Sequence, residues 1–120
     1  MIIRPGTPQE AATLDCAEAR RLLVKFNPHA EYLVAECSGA SSGCSGWRHG
    51  RHAVILGPSF VRPEYRRLGV FSALHEERMR RLSGVAAVAS CTRYSLPLHL
   101  KNGARLVREY KSPLYRIRYE

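Results

Sequence analysis

The stretch Val61-Arg62-Pro63-Glu64-Tyr65-Arg66-Arg67-Leu68-Gly69-Val70-Phe71 leaves an apolar run, passes a proline turn and opens an amphipathic segment. A strand that turns into a helix in this way is built for anions. The first amides of a helix have no internal partner and sit at the positive end of its dipole, so several can point at one phosphate group. Gly69 lets the backbone approach closely, and Arg66 and Arg67 add full charge beside the amides, which suits a pyrophosphate better than a carboxylate.

Charge agrees with an anionic partner. Nineteen basic residues stand against ten acidic ones, a formal net charge of +9, and sixteen of the nineteen are arginine. A phosphate-bearing cofactor and a nucleic acid both fit that field, and net charge alone does not separate them. The four cysteines, Cys16, Cys37, Cys44 and Cys91, match no paired zinc spacing and read as free thiols, so no metal site is expected. Apolar runs such as Val85 to Ala89 fall far short of the roughly 20 residues of a membrane helix. The opening Met1-Ile2-Ile3-Arg4-Pro5 turns polar before a signal-peptide core develops, so a cytoplasmic location is the expectation.

At 120 residues the chain has room for one core, and a single domain over 1–120 is expected. Ile2-Ile3 begins a strand that ends at Pro5-Gly6. Thr7-Pro8-Gln9-Glu10 has the form of a capping box, and the apolar spacing after it predicts one helix over about 8–26. Residues 31–37 read as a second strand. The glycine- and serine-rich stretch 38–50 suits a turn, a short weak strand around Cys44 to Trp47 and another turn, or a mobile flap. Residues 52–61 read as the central strand, in which Pro58 requires a local break in pairing. A helix with Phe71, Leu74, His75, Met79 and Leu82 near one face follows, then a strand over 85–90, a short helix over 95–101, and two alternating strands joined at Lys111-Ser112-Pro113. The fold class is α+β: a mixed, mostly antiparallel sheet of six to seven strands flanked by three helices.

The chain resembles the GNAT superfamily of acyl-CoA-dependent N-acyltransferases. The family's diagnostic segment runs Gln/Arg-x-x-Gly-x-Gly/Ala after a Val-x-Pro-x-Tyr strand end, and this chain supplies Val61-x-Pro63-x-Tyr65 followed by Arg66-x-x-Gly69-x-Phe71. Ile2-Ile3-Arg4-Pro5 with its capped helix is similar to the family's opening, and Asn102-Gly103 before two terminal strands is similar to its closing region. The resemblance implies splayed central strands, acetyl-CoA as cosubstrate, a pyrophosphate on the amides of Arg67, Leu68, Gly69, Val70 and Phe71, pantetheine on Val61, and Arg66 at the motif's first position. Phe71 stands where glycine or alanine is usual, so its ring is expected to turn into the sheet. His99 stands four residues before Gly103, where a family tyrosine often acts as the acid. No carboxylate lies in 52–61, where many members carry a glutamate base, which leaves His52 as the candidate base.

Three functions follow from this reading. The first is an N-acetyltransferase acting on a primary amine, with a small neutral or anionic amine or a peptide N-terminus as acceptor and a homodimer as one arrangement. The second is a non-catalytic acyl-CoA-binding module. A basic nucleic-acid binder ranks last, because one tryptophan, Trp47, among Arg48, His49, Arg51 and His52 is thin support for a stacking platform.

Overall fold

Thr7 and Glu10 close their capping box reciprocally: Thr7 Oγ1 accepts from the Glu10 amide at 3.1 Å, and Glu10 Oε1 accepts from the Thr7 amide at 3.1 Å. The helix they start, α1 (Pro8–Ala12), is short. Thr13 Oγ1 donates back to the Glu10 carbonyl at 2.6 Å, and the amides of Thr13, Leu14 and Asp15 each bond three residues back. That tightening ends the helix. A second helix, α2 (Ala17–Arg21), begins at once, with Glu18 in its first turn and Arg20 and Arg21 in its last, as the helix dipole favours. The single helix predicted over 8–26 is therefore two, and the flanking helices number four among the described residues. The computed structural model describes residues 1–21, 24–110 and 114–120, so Leu22 and the expected turn Lys111-Ser112-Pro113 lie outside the described residues.

The remaining elements are β1 (Ile2–Gly6), β2 (Glu31–Cys37), β3 (Ala40–His49), β4 (Val54–Val61), a 3-10 turn at Pro63–Tyr65, α3 (Val70–Arg81), β5 (Ala87–Thr92), α4 (Leu96–Lys101), β6 (Arg105–Glu109) and β7 (Leu114–Tyr119). The strands form one mixed sheet in the order β1-β2-β3-β4-β5-β7-β6. β4 pairs β5 in parallel, and the pairing covers Val54↔Ala87 and Ile55↔Val88. The pairing stops at Ile55, two residues before Gly57, so the break that Pro58 required is present; the Gly57–Pro58 peptide bond is cis. No helix among the described residues is long and apolar enough to cross a membrane.

The chain divides into two compact units, Met1–Arg48 with Gly57–Ser83, and His49–Leu56 with Gly84–Glu120. In the first, Leu33, Val34 and Cys44 are buried on β2 and β3, Leu14 clusters with Cys44, Tyr32 and Phe60, and Val70 and Leu74 are buried on α3. Arg4 ties β1 to its neighbours through ion pairs with Glu10 at 2.5 Å and Glu36 at 2.6 Å. In the second, Ala87, Ala89, Cys91, Ile117 and Tyr119 are the buried residues of β5 and β7.

The soft stretch of the sequence is a full strand. Ser38 and Gly39, both at positive φ, make a two-residue hairpin of the primed kind between β2 and β3, and β3 runs ten residues with its middle buried. Its small residues exist for close approach. A Cβ at Gly43 would lie 2.8 Å from the Phe60 carbonyl oxygen, and one at Gly46 would lie 2.9 Å from the Tyr32 ring. Ser42 and Ser45 are fully buried and donate to the Ala35 and Leu74 carbonyls at 3.1 and 3.4 Å. Trp47 is a buried β3 residue, not a rim or a stacking surface.

Candidate functional site

The segment between β4 and α3 is built from the backbone. Arg62 bonds its amide to the Ser42 carbonyl at 2.8 Å, the 3-10 turn closes through Tyr65 and Arg66, and the chain then swings into α3. Gly69 caps α3 at φ 79°, where a glycine is favoured, and Arg67 takes a left-handed φ of 63°. A non-glycine residue there is held against a cost of about 1–2 kcal/mol. Arg67, Leu68 and Gly69 are exposed, and among the described residues the amides of Arg67, Leu68, Gly69 and Val70 donate to no protein acceptor. A cluster of open donors at the start of a twelve-residue helix, beside the Arg67 guanidinium, is chemically an anion cradle.

Arg66 stands differently. Its Nε donates to the Val61 carbonyl at 3.2 Å, its Nη1 pairs with Glu18 at 3.2 Å, and its guanidinium lies over the Phe60 ring at 5.5 Å. It braces the turn against β4 and α2. Glu18, held by Arg21 and then Arg66, has its carboxyl lowered below the ordinary range. Val61 is buried.

Phe71 is half-buried, and its ring lies parallel to the His75 imidazole, 6.2 Å away, one helical turn on. The buried stripe of α3 runs through Val70, Leu74, His75 and Arg78, so Phe71 and Met79 lie at its margin. Arg78 is 1% exposed. It donates to the Gly46 carbonyl at 3.0 Å and Ser59 Oγ at 2.9 Å, and its Nη2 meets His75 Nδ1 at 2.8 Å. A guanidinium only donates, so His75 Nδ1 accepts and its imidazole carries its proton on Nε2. Sequence reading missed this network. The signal was an arginine at the i, i+4, i+8 spacing of Val70 and Leu74. Nearby, burial pushes the Cys44 thiol up to about 12, so it is inert.

In the second unit, His99 is buried at 3% exposure on α4, with Nδ1 2.8 Å from the Tyr119 hydroxyl. That hydroxyl also lies 3.4 Å from the His99 carbonyl. Tyr119 thus fixes the ring's orientation, edge to face at 5.9 Å. His52 is exposed in a bend before β4, which begins two residues later than predicted. A pocket of about 530 Å³ beside α1 and α2 is lined by Ala12, Asp15, Arg20, Val24, Lys25 and Phe26, and includes none of the expected site residues.

Neither a protein-family model nor a curated protein matches the sequence. Solved structures do match its fold. Escherichia coli ElaA superposes with a TM-score of 0.81 at 10% identity, covering 100% of both chains. YncA from Salmonella typhimurium, described as a putative acetyltransferase with its cofactor acetyl-CoA, gives 0.75 at 17% identity over 100% of this chain and 93% of its own. A GNAT family acetyltransferase from Elizabethkingia anophelis with acetyl-CoA bound gives 0.72 at 13% identity, over 99% and 97%. The chain has the GNAT fold.

Proposed function

We propose that residues 1–120 work as one acyltransferase domain that moves an acetyl group from acetyl-CoA to a primary amine. The observation that carries the reading is the row of exposed residues Arg67, Leu68 and Gly69 at the start of α3, whose amides bond to no protein acceptor among the described residues. Buried amides, or amides already bonded to the protein's own groups, would have left no place for a diphosphate.

Acetyl-CoA supplies the acyl group activated as a thioester. The amides of Arg67, Leu68, Gly69, Val70 and Phe71 hold its pyrophosphate, and the Arg67 guanidinium neutralises it. Val61 bonds the pantetheine through its backbone. Arg66 keeps that carbonyl and the turn in place, 3.2 Å from the Val61 oxygen. His52, exposed before β4, takes the proton from the acceptor ammonium. His99, oriented by Tyr119, gives a proton to the sulfur as the thioester C–S bond breaks and the amide C–N bond forms, and the second N–H proton shed by the nitrogen passes to water, from which His99 is reprotonated. A small neutral or anionic amine or a peptide N-terminus suits a chain of this charge better than a polycation. We extend the reading to a cytoplasmic enzyme, with a homodimer as its assembly.

Calorimetry with acetyl-CoA and a free-thiol assay over an amine panel test this. At a ligand concentration 100 times Kd, the folded state gains about 2.7 kcal/mol. An unchanged melt at saturating acetyl-CoA rejects the reading. Binding without thiol release, with H99A binding as the parent does, leaves a non-catalytic acyl-CoA module instead.

A further inference from the structure

The terminal strands bring together arginines that the sequence keeps apart. β6 pairs β7 with Arg105 opposite Arg118 and Arg108 opposite Arg116, and Val107 is the extra residue of a bulge between the two rows. Strict alternation along β6 would put Leu106 and Arg108 on one face. The bulge reverses that, sending Leu106 to the side of buried Ile117 and Arg108 to the side of Arg116. On β7, Ile117 and Tyr119 are buried while Arg116 and Arg118 are partly open, and on β5 the partner of Arg116, Ser90, is exposed. Four guanidinium groups therefore share one open face, about 5 Å apart across the strands and about 7 Å along them at the backbone.

Like charges placed directly opposite destabilise a sheet. One carboxylate relieves the first row: Glu120 takes Arg105 at 3.1 Å and Arg118 at 3.3 Å. The second row has no acidic partner among the described residues. Arg116 reaches Ser90 Oγ at 3.3 Å, and Arg108 lies over the ring of Tyr110, 5.1 Å from its centre. Tyr110, 37% exposed, continues the same face opposite Leu114, to whose carbonyl its amide bonds. Just past β5, Arg93 lies likewise over Tyr94, which is 75% exposed.

We infer that this face of the second unit binds a single-stranded nucleic acid. Arginine forks onto phosphate oxygens, and a row of them tracks a phosphodiester strand. An acidic peptide would satisfy the charges equally, but it has no use for the exposed Tyr110 ring backed by a guanidinium on the same face. Unpaired bases stack on such rings, whereas a duplex hides its base faces. This surface is built from other residues than the turn before α3 and does not depend on acyl transfer.

The test is fluorescence anisotropy with a short labelled oligouridylate between about 50 and 200 mM salt. Four phosphate contacts on a single strand give a log–log salt slope of about −2.8, and R108Q/R116Q brings it to about −1.4 with affinity on the order of tenfold weaker. Y110L weakens binding and leaves the slope unchanged. R80Q/R81Q, on α3, leaves both unchanged. Because R108Q/R116Q removes a like-charge pair, it melts at or above the parent temperature; if it melts lower, R116Q alone and Y110L decide. The inference is overturned by no binding, by an unaltered R108Q/R116Q, by an equal loss in R80Q/R81Q, by polyglutamate displacing the probe better than unlabelled oligouridylate, or by displacement with acetyl-CoA.

Discussion

The two ends of α3 hold similar chemistry in opposite states. At Arg78 the two terminal nitrogens of a buried cation are occupied by the Gly46 carbonyl, Ser59 and His75, all within the protein. At residues 67–69 the donors are peptide amides with no protein acceptor among the described residues, on a surface open to water. Both are positive, yet only the second is exposed where a ligand can reach it. A charged side chain on a helix therefore does not mark a site; unoccupied donors do. Arg66 sits between the extremes, next to the open amides but with its own donors on Val61 and Glu18.

The largest effect should come from the occupied end. R78A leaves the Gly46 carbonyl and Ser59 without their donor and opens a cavity, so we expect roughly 3–5 kcal/mol of lost stability. Urea unfolding would show a lower midpoint with an unchanged slope. R78M refills the volume and removes the buried charge, and should lose less. If R78A unfolds at the parent midpoint, the donors counted as occupied are not holding the fold.

G69V should come next in stability and first in ligand binding. A Cβ at Gly69 meets nothing within 4 Å, so the cost is conformational: a β-branched residue at φ 79° loses about 1–2 kcal/mol. As the backbone leaves the left-handed region, the amides turn away and the acetyl-CoA-dependent rise in melting temperature disappears. R78A at a temperature where it is folded should keep that rise. A G69V variant that binds acetyl-CoA as the parent does would place the diphosphate elsewhere.

R66Q sharpens the contrast. Its side-chain ion pair is partly exposed, so stability should change by less than about 1 kcal/mol, and coenzyme affinity should stay within about threefold of the parent. A loss on the order of tenfold in calorimetry would mean that Arg66 leaves Glu18 to meet the ligand.

What could be read from the sequence was what is local. The capping box at Thr7, strand 31–37 and the turn from Val61 to Phe71 depend on neighbours within a few residues, and each stands where its residue types put it. β3 was underestimated because its glycines and serines have low strand propensity, and their reason lies across the sheet, in the room Gly43 and Gly46 leave for Phe60, Pro58 and Tyr32. The first helix was overextended because the apolar spacing carries through residues 13–16, while the hydroxyl of Thr13 ends the helix by bonding back. Arg78 was hidden by its type: an arginine on the buried stripe shifted the apparent phase to Phe71 and Met79. The arginine face depends on one bulged residue, Val107, which no alternation pattern contains.

The smallest effect is acid sensitivity, and it separates the two units. Arg4 holds Glu10 below the ordinary carboxyl range, Arg21 and Arg66 do so for Glu18, and Arg80 and Arg81 hold Glu77 down to about 2. These three lie in the first unit; in the second, Arg105 and Arg118 lower Glu120. A carboxyl lowered on folding binds fewer protons folded than unfolded, so its contribution is complete above about pH 4.5 and fades as pH falls toward 2. Trp47, the one tryptophan, is buried in the first unit and reports its unfolding by fluorescence. Melts followed at Trp47 should weaken between about pH 4.5 and 2, less so in high salt because these pairs are exposed. E77Q should remove part of that slope and E120Q none of it. If E120Q flattens the Trp47 transition as much as E77Q does, the two units unfold together and the electrostatic contrast between them vanishes.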